Sequence, residues 1–183
     1  MQDVDFVKAD LSRTEHQRAV LDLIDAYSCD PMGDGKPLAS DVRARLVDGL
    51  REHPTTLIIL AFKSGEPVGV AVCFRGFSTF AARPLLNIHD LNVLPAYRGL
   101  GIGRGLIAAV EAKARELDCC KLSLEVQENN QRARRTYAAS GFMQAQYESK
   151  AGNVLFLTKR LERPALSFDL DGAEGGGEGG GVD

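Results

Sequence analysis

The sequence has little that would support a metal centre or a disulfide framework. Its 183 residues include three histidines, four cysteines and no tryptophan. None of the cysteines stands in a C-x-x-C pair, and the adjacent Cys119 and Cys120 cannot easily bond to each other. We therefore expect four reduced thiols, no metal site and a cytoplasmic protein.

Two further classes of protein are disfavoured by charge and hydrophobicity. A net charge of −3 does not provide the basic surface that nucleic-acid binding requires. The longest aliphatic run, Leu57–Phe62, is far too short to cross a bilayer, and the acidic start Met1–Asp5 lacks a hydrophobic signal core. We expect a soluble protein with neither nucleic acid nor membrane as a partner.

Length and composition predict one domain followed by a tail. From Pro164 the composition changes, and residues 172–183 hold seven glycines and three acidic residues with almost nothing to bury. Such a segment cannot offset the entropy lost on ordering. The sequence thus predicts a folded domain over residues 1–163 and a disordered tail over residues 164–183.

Hydrophobic periodicity predicts eleven elements in the order β-α-α-β-β-β-α-β-α-β-β. Ser12-x-x-Glu15 is typical of a capping box, and Ser40 is placed to cap a second helix. The segment from Gly76 to Pro84 reads as a loop. The remaining predicted elements are a strand at residues 3–8, a hairpin at 55–62 and 67–74, a strand at 85–94, a helix to about 118, a strand at 121–126, a helix at 131–140, and strands at 143–150 and 153–161. This order indicates an α+β domain with helices on both faces of a mixed sheet.

A glycine-rich loop joins the predicted strand at 85–94 to the helix that follows. Glycines stand at positions 99, 101, 103 and 105, and Arg98 and Arg104 flank the loop. Backbone N–H groups in such a loop, together with a helix N-terminus, favour phosphate. The spacing fits neither G-x-G-x-x-G nor G-x-x-x-x-G-K-[ST], so a dinucleotide or ATP-type site is disfavoured.

Two stretches resemble the GNAT superfamily of N-acetyltransferases. Arg98-x-x-Gly101-x-Gly103 is similar to that family's acyl-CoA pyrophosphate loop, [QR]-x-x-G-x-[GA]. Residues 124–142 are similar to its pattern [LI]-x-V-x-x-x-N-x-x-A-x-x-x-Y-x-x-x-G-F. The second match falls at Asn130, Ala133, Tyr137, Gly141 and Phe142. The resemblance covers about residues 3–161 and implies the GNAT fold.

The resemblance implies acetyl-CoA as co-substrate and assigns roles to individual residues. The pyrophosphate would lie on the loop formed by Arg98, Gly99, Gly101, Gly103 and Arg104. The pantetheine arm would pair with the backbone at Leu91 and Val93, and Asn130 would hydrogen-bond it. Tyr137 would donate a proton to the leaving sulfur. From the residues alone, Asn130 also fits a helix cap and Tyr137 a half-buried core aromatic.

Three residues are candidates for the general base. Glu125 lies twelve residues before Tyr137, the relation found in the ribosomal-protein alanine acetyltransferases of this superfamily. Strand alternation places Asp90 with Ile88 on one face and His89 on the other, unless a bulge intervenes. We prefer Glu125 slightly, then Asp90, then His89.

The resulting hypothesis is an N-acetyltransferase in which the amine attacks acetyl-CoA directly in a ternary complex, without metal or covalent enzyme intermediate. The alternative is a non-catalytic acyl-CoA-binding or sensing module. The sequence does not decide between a small-molecule amine and a protein amine as the acceptor. It also does not decide whether the protein forms a homodimer. Four acids near the first helix would attract a cationic amine or form a polar surface: Asp22, Asp25, Asp30 and Asp34. Arg132, Arg134 and Arg135, which cluster beside Asn130, fit a solvated helix face better than a phosphate contact.

Overall fold

The structure, a computed structural model, describes residues 4–144 and 157–159. The chain divides into two compact units, Met1–Met143 and Gln144–Asp183. Most of the two predicted C-terminal strands and the whole predicted tail lie outside the described residues. The account of the fold below concerns the first unit.

A five-stranded sheet with strand order β1-β2-β3-β4-β5 forms the first unit. The first four strands are antiparallel, whereas β5 runs parallel to β4. This mixed sheet confirms the predicted α+β architecture. The elements are β1 Val4–Lys8, α1 Thr14–Ser28, α2 Ser40–Glu52, β2 Thr56–Lys63, β3 Glu66–Ser78, β4 Arg83–Val93, α3 Ile102–Glu116, β5 Leu122–Leu124 and α4 Gln131–Ala139, with one 3-10 turn at Pro95–Tyr97.

Helices cover both faces of the sheet, and β2 shows why. Ile58, Leu60 and Phe62 pack in the cluster that contains buried residues of α1 and α2. The alternate residues Leu57 and Ile59 pack in the cluster that contains the buried face of α3. A strand buried on both faces reads as a continuous apolar run rather than an alternating one, which explains the sequence of β2.

Both predicted helix caps are wrong. Helix α1 begins at Thr14 after Arg13, and no side chain caps it. The Ser12 hydroxyl instead donates to Asp10 Oδ1 at 2.7 Å, and the Ser12 N–H donates to the same oxygen at 2.9 Å. This local turn competes with a capping box. Ser40 is the first helical residue of α2, one position too late to serve as its cap.

The segment predicted as a loop between β3 and β4 is mostly strand. Gly76 pairs with Leu85 and Phe77 pairs with Pro84, which leaves only residues 79–82 to connect the strands. This part of the hairpin is largely exposed, so it lacks the apolar alternation by which strands are recognised. By contrast, β5 is shorter than predicted and ends at Leu124.

A β-bulge in β4 reverses the alternation expected around Asp90. Val72 pairs with Asp90 while the next residue of β3, Cys73, pairs with Ile88, so His89 is the extra residue. Ile88 therefore packs on the α3 side of the sheet. Asn92, two residues beyond Asp90, donates from Nδ2 to the Leu23 carbonyl of α1 at 3.0 Å. Asp90 shares the face of Asn92 rather than that of Ile88, contrary to simple alternation.

Two helical glycines should respond oppositely to alanine. A Cβ on Gly105 would lie 2.1 Å from Phe6 Cζ, whereas a Cβ on Gly49 would meet nothing within 4 Å. We expect Gly105→Ala to lower the free energy of unfolding by about 1–3 kcal/mol through overpacking. Gly49→Ala, the matched control in α2, should raise it by up to about 1 kcal/mol. Urea unfolding measures both; equal gains would show that Phe6 does not constrain α3.

Candidate active site

The sheet opens between β4 and β5. These parallel strands pair at only three positions, the last being Ile88 with Leu124. Strand β4 then continues to Val93, paired with β3 on its other side, while β5 has ended. Among the described residues, the part of β4 beyond Ile88 therefore has a strand neighbour on the β3 side alone, and we call the space on its other side the opening.

Backbone groups of β4 are directed into this opening at alternate residues. The Leu94 N–H donates to Val68 O of β3 at 2.9 Å. Because hydrogen bonding alternates along an antiparallel pair, the polar backbone groups of Leu91 and Val93 point the other way. The Val93 carbonyl accepts a hydrogen bond from Arg98 Nε at 2.8 Å, which agrees with this orientation. A ligand that pairs like a strand would find its partners here.

The glycine loop ends in the first turn of α3. Gly99 and Gly101 both have φ of +82°, a conformation that side chains disfavour, and Gly101 is the N-cap of α3. The first N–H groups of α3 lack partners within the helix, as at every helix start. A Cβ on Gly103 would lie 3.7 Å from Thr136 Cγ2, so this turn lies beside α4. Arg104 is exposed at the same turn.

Arg98, a predicted phosphate ligand, is ion-paired with a carboxylate. Its Nη2 lies 2.6 Å from Asp30 Oδ2, and the two side chains are 21% and 8% exposed. Burial works to raise the pKa of Asp30, but hydrogen bonds from the Met32 N–H and from Arg98 outweigh it and keep that pKa below its usual value. The Arg98 guanidinium is therefore already hydrogen-bonded to the Asp30 carboxylate.

Helix α4 and its N-cap hold two residues of the GNAT-like pattern, Tyr137 and Asn130. The Asn130 side chain accepts from the Ala133 N–H at 3.1 Å, which confirms the helix-cap interpretation of this residue. The Tyr137 ring lies on the inward face and contacts Phe142 at 5.9 Å between centroids. Burial, with a smaller contribution from Tyr27, raises the pKa of Tyr137 to about 12. The phenol therefore keeps its proton at neutral pH.

The three candidate bases have different surroundings. Asp90 is partly buried, and burial raises the pKa of its carboxyl, while the nearby His89 ring opposes the shift. His89 is 62% exposed; its Nδ1 lies 3.4 Å from Asp90 Oδ2, and its ring contacts Phe74. Glu125 is exposed, one residue beyond the end of β5. Of the three side chains, that of Asp90 is the one that is partly buried, and this burial raises its pKa.

Comparison with known proteins identifies the family. A model of the acetyltransferase (GNAT) family matches residues 20–142, which include β4, the glycine loop and α4. This chain belongs to the GNAT family. Members of the family are acetyltransferases that use acetyl-CoA, so the predicted enzyme class and co-substrate are confirmed at the level of the family.

Relatives and solved structures agree with this family. An N-acetyltransferase of Archaeoglobus fulgidus is 39% identical over 45% of this chain, which spans only 56% of that relative. One from Mycobacterium tuberculosis is 32% identical over 63% of this chain and 73% of its own. A crystal structure of a probable acetyltransferase has a TM-score of 0.72 at 18% identity, covering 86% of this chain and 99% of that one. An aminoglycoside N-acetyltransferase in complex with CoA gives 0.66 at 18%, covering 87% and 96%. These structures confirm the GNAT fold.

Tyr27 lies near the predicted site residues Asp90 and Tyr137, a placement that sequence reasoning missed. It lies near the end of α1, and its pKa is raised by burial and then by the charges of Asp90 and Asp30. Tyr27 also acts on the pKa of Tyr137. The fold thus brings groups from α1, β4 and α4 into one region. In the sequence Tyr27 is indistinguishable from any other aromatic on the apolar face of a helix.

The acids expected to attract an amine have other partners. Asp22 and Asp25 each lie 2.8 Å from a guanidinium nitrogen of Arg43. Asp25 also accepts from the Leu38 N–H at 2.9 Å, and Asp30 is paired with Arg98. Asp22 and Asp25 link α1 to α2 and to the loop between them, and Asp30 links that loop to Arg98, whereas Asp34 is exposed. The polar-surface alternative fits them better.

The described residues contain neither a metal-binding cluster nor a membrane-spanning helix. Within residues 4–144 and 157–159, no three His, Cys, Asp or Glu side chains are placed to hold a metal ion. No described helix has the length and apolar character needed to cross a bilayer.

Proposed function

We propose that this chain transfers the acetyl group of acetyl-CoA to a primary amine by direct attack in a ternary complex. The observation that carries the proposal is the opening beside β4, where strand-edge backbone groups lie next to a glycine turn and a helix N-terminus. Tyr27 lies near this region: the charge of Asp90 contributes to its raised pKa, and Tyr27 contributes to the raised pKa of Tyr137. A carboxylate that takes a proton from an ammonium and a phenol that gives one to a leaving sulfur are the groups that acyl transfer to an amine requires.

The same geometry supports an assignment of the residues that would hold acetyl-CoA. Backbone groups of Leu91 and Val93 would pair with the pantetheine arm. The turn at Gly99–Gly101 and the first N–H groups of α3, including that of Gly103, would take the diphosphate, with Arg104 supplying charge. Asn130 uses its side-chain oxygen for the cap, so its Nδ2 remains the donor for a pantetheine carbonyl.

The chemistry assigned to the chain is movement of two protons. Acetyl-CoA supplies an activated acyl group as a thioester. Asp90 takes a proton from the ammonium, because partial burial raises its pKa toward the range of a useful base. The neutral amine then attacks the thioester carbonyl, and Tyr137 gives its proton to the sulfur as the carbon–sulfur bond breaks, since a thiolate is costly in a partly desolvated site. The second proton released by the nitrogen restores the phenol. The exposed Glu125 is the alternative base.

The acceptor is assigned only as a primary amine, either of a small molecule or of a protein. The direct test is thiol release from acetyl-CoA in the presence of a panel of amines. Amine-dependent release supports the transferase. Binding of acetyl-CoA without release by any amine would instead support the non-catalytic acyl-CoA-binding module.

The diphosphate assignment predicts the effect of charge at the start of α3. Gly103 has room for a Cβ, so Gly103→Ala should leave acetyl-CoA affinity within about twofold. Gly103→Glu should weaken it about a hundredfold, because a carboxylate would face the phosphates. Calorimetry on both variants measures this, with melting temperature as the check on folding. Equal affinities for the two variants would place the diphosphate elsewhere.

The leaving-group assignment predicts a defect confined to the chemical step. Tyr137→Phe keeps the ring that packs on Phe142 but removes the proton. We expect kcat to fall by roughly a hundredfold or more, with acetyl-CoA affinity unchanged. Steady-state kinetics and calorimetry measure the two quantities. A kcat equal to that of the unmodified chain would mean that water or another group protonates the sulfur.

The base assignment predicts which carboxylate sets the acidic limb of the pH profile. The raised pKa of Asp90 places the loss of kcat/KM, on acidification, above the range of an ordinary aspartate. Asp90→Asn should lower kcat/KM by about a hundredfold and remove this limb. Glu125→Gln serves as the matched control and should retain the limb. The reverse outcome would assign the base to Glu125.

A further inference from the structure

One carboxylate fastens the loop between α1 and α2 to the end of β4. Asp30 Oδ2 accepts from Arg98 Nη2 at 2.6 Å, while Asp30 Oδ1 accepts from the Met32 N–H at 2.8 Å. The Asp30 carbonyl also accepts from the Gly33 N–H at 2.8 Å. Asp30 thus closes the turn of its own loop and links that loop to Arg98, which is bound to Val93 O.

The same loop contacts the other side of the opening. The Met32 carbonyl accepts from Gln127 Nε2 at 3.3 Å, and Gln127 belongs to the segment between β5 and α4. The loop is therefore bonded to Arg98 beyond β4 and to Gln127 beyond β5. It spans the opening in which the thioester and the amine are proposed to meet.

Arg98 joins this loop to the end of β4 and, in sequence, directly precedes the turn of the proposed diphosphate site. A guanidinium has five N–H donors, and the described contacts of Arg98 are with Val93 O and Asp30. Arg98 comes directly before the turn Gly99–Gly101 that leads into α3. A phosphate bound at that turn would be a second anion beside the same cation, close to the buried Asp30 carboxylate.

We propose that Asp30 is a positioning residue that competes with the CoA diphosphate for Arg98, so that binding of acyl-CoA loosens the α1–α2 loop. The inference rests on the proposed function. Two anions that share one cation repel each other, and this repulsion acts equally in both directions. Asp30 therefore lowers the affinity for acyl-CoA, and acyl-CoA weakens the attachment of the loop that spans the opening.

Calorimetry with acetyl-CoA tests the first half of this inference. Asp30→Asn removes the charge but keeps an oxygen for the Met32 N–H, so acetyl-CoA should bind about fivefold or more tightly. Asp34→Asn removes an exposed charge from the same loop and should change affinity less than about twofold. In an Arg98→Gln background, Asp30→Asn should bring no gain. A purely structural role for Asp30 would weaken binding instead.

Hydrogen exchange of the backbone amides tests the second half. In the unmodified chain, saturating acetyl-CoA should speed exchange at Met32 and Gly33. Asp30→Asn keeps both local acceptors but loses the pair with Arg98, so exchange at these amides should no longer respond to acetyl-CoA. Slower exchange at these two positions on adding acetyl-CoA to the unmodified chain would contradict the proposed competition.

The outcomes separate this inference from the proposed function. Failure of acetyl-CoA to bind the unmodified chain would overturn the proposed function, and the inference with it. Binding to the unmodified chain with unchanged or weaker binding to Asp30→Asn would overturn the inference alone. If Asp30→Asn melts at a much lower temperature, Asp30→Ser replaces it, since a hydroxyl can also accept from the Met32 N–H. The same gain in affinity is expected.

Discussion

One extra residue in β4 sets the geometry on which the site depends. The bulge at His89 places Ile88 and Leu91 on the α3 side of the sheet and turns Asp90 toward the α1 side. The same bulge lies where pairing with β5 ends. Because a bulge bends and twists its strand, it accounts for both the opening beside Leu91 and Val93 and the burial of a carboxylate there.

Acidic residues of α1 and of the loop that follows it are paired with arginines. Arg43 lies beside Asp22 and Asp25, and Arg98 lies beside Asp30. A loop without regular structure needs partners for its polar groups; Asp25 accepts from the Leu38 N–H and Asp30 accepts from the Met32 N–H. Asp90 and Tyr137, by contrast, have raised pKa values, and both shifts arise mainly from burial.

The glycines of one loop are required for different physical reasons. Gly99 and Gly101 supply a positive φ, whereas Gly105 lets Phe6 approach the backbone of α3. Sequence reasoning treated the four as one phosphate-binding feature. The distinction matters because only a substitution at Gly103 adds a charged group without disturbing either the turn or the packing of β1 on α3.

Sequence by itself determined the order of the main elements, the family and the two stretches proposed to bind acetyl-CoA, because hydrophobic period, glycine spacing and the Asn130–Tyr137 pattern are local properties. It misplaced the helix caps and the outer part of the β3–β4 hairpin, where competing side-chain bonds and exposure weaken the local signal. Tertiary structure alone decided that Arg98 pairs with Asp30, that Tyr27 lies near Asp90 and Tyr137, and that Asp90 is partly buried while Glu125 is exposed. Those outcomes depend on contacts between residues far apart in the chain and on a bulge that one sequence does not reveal.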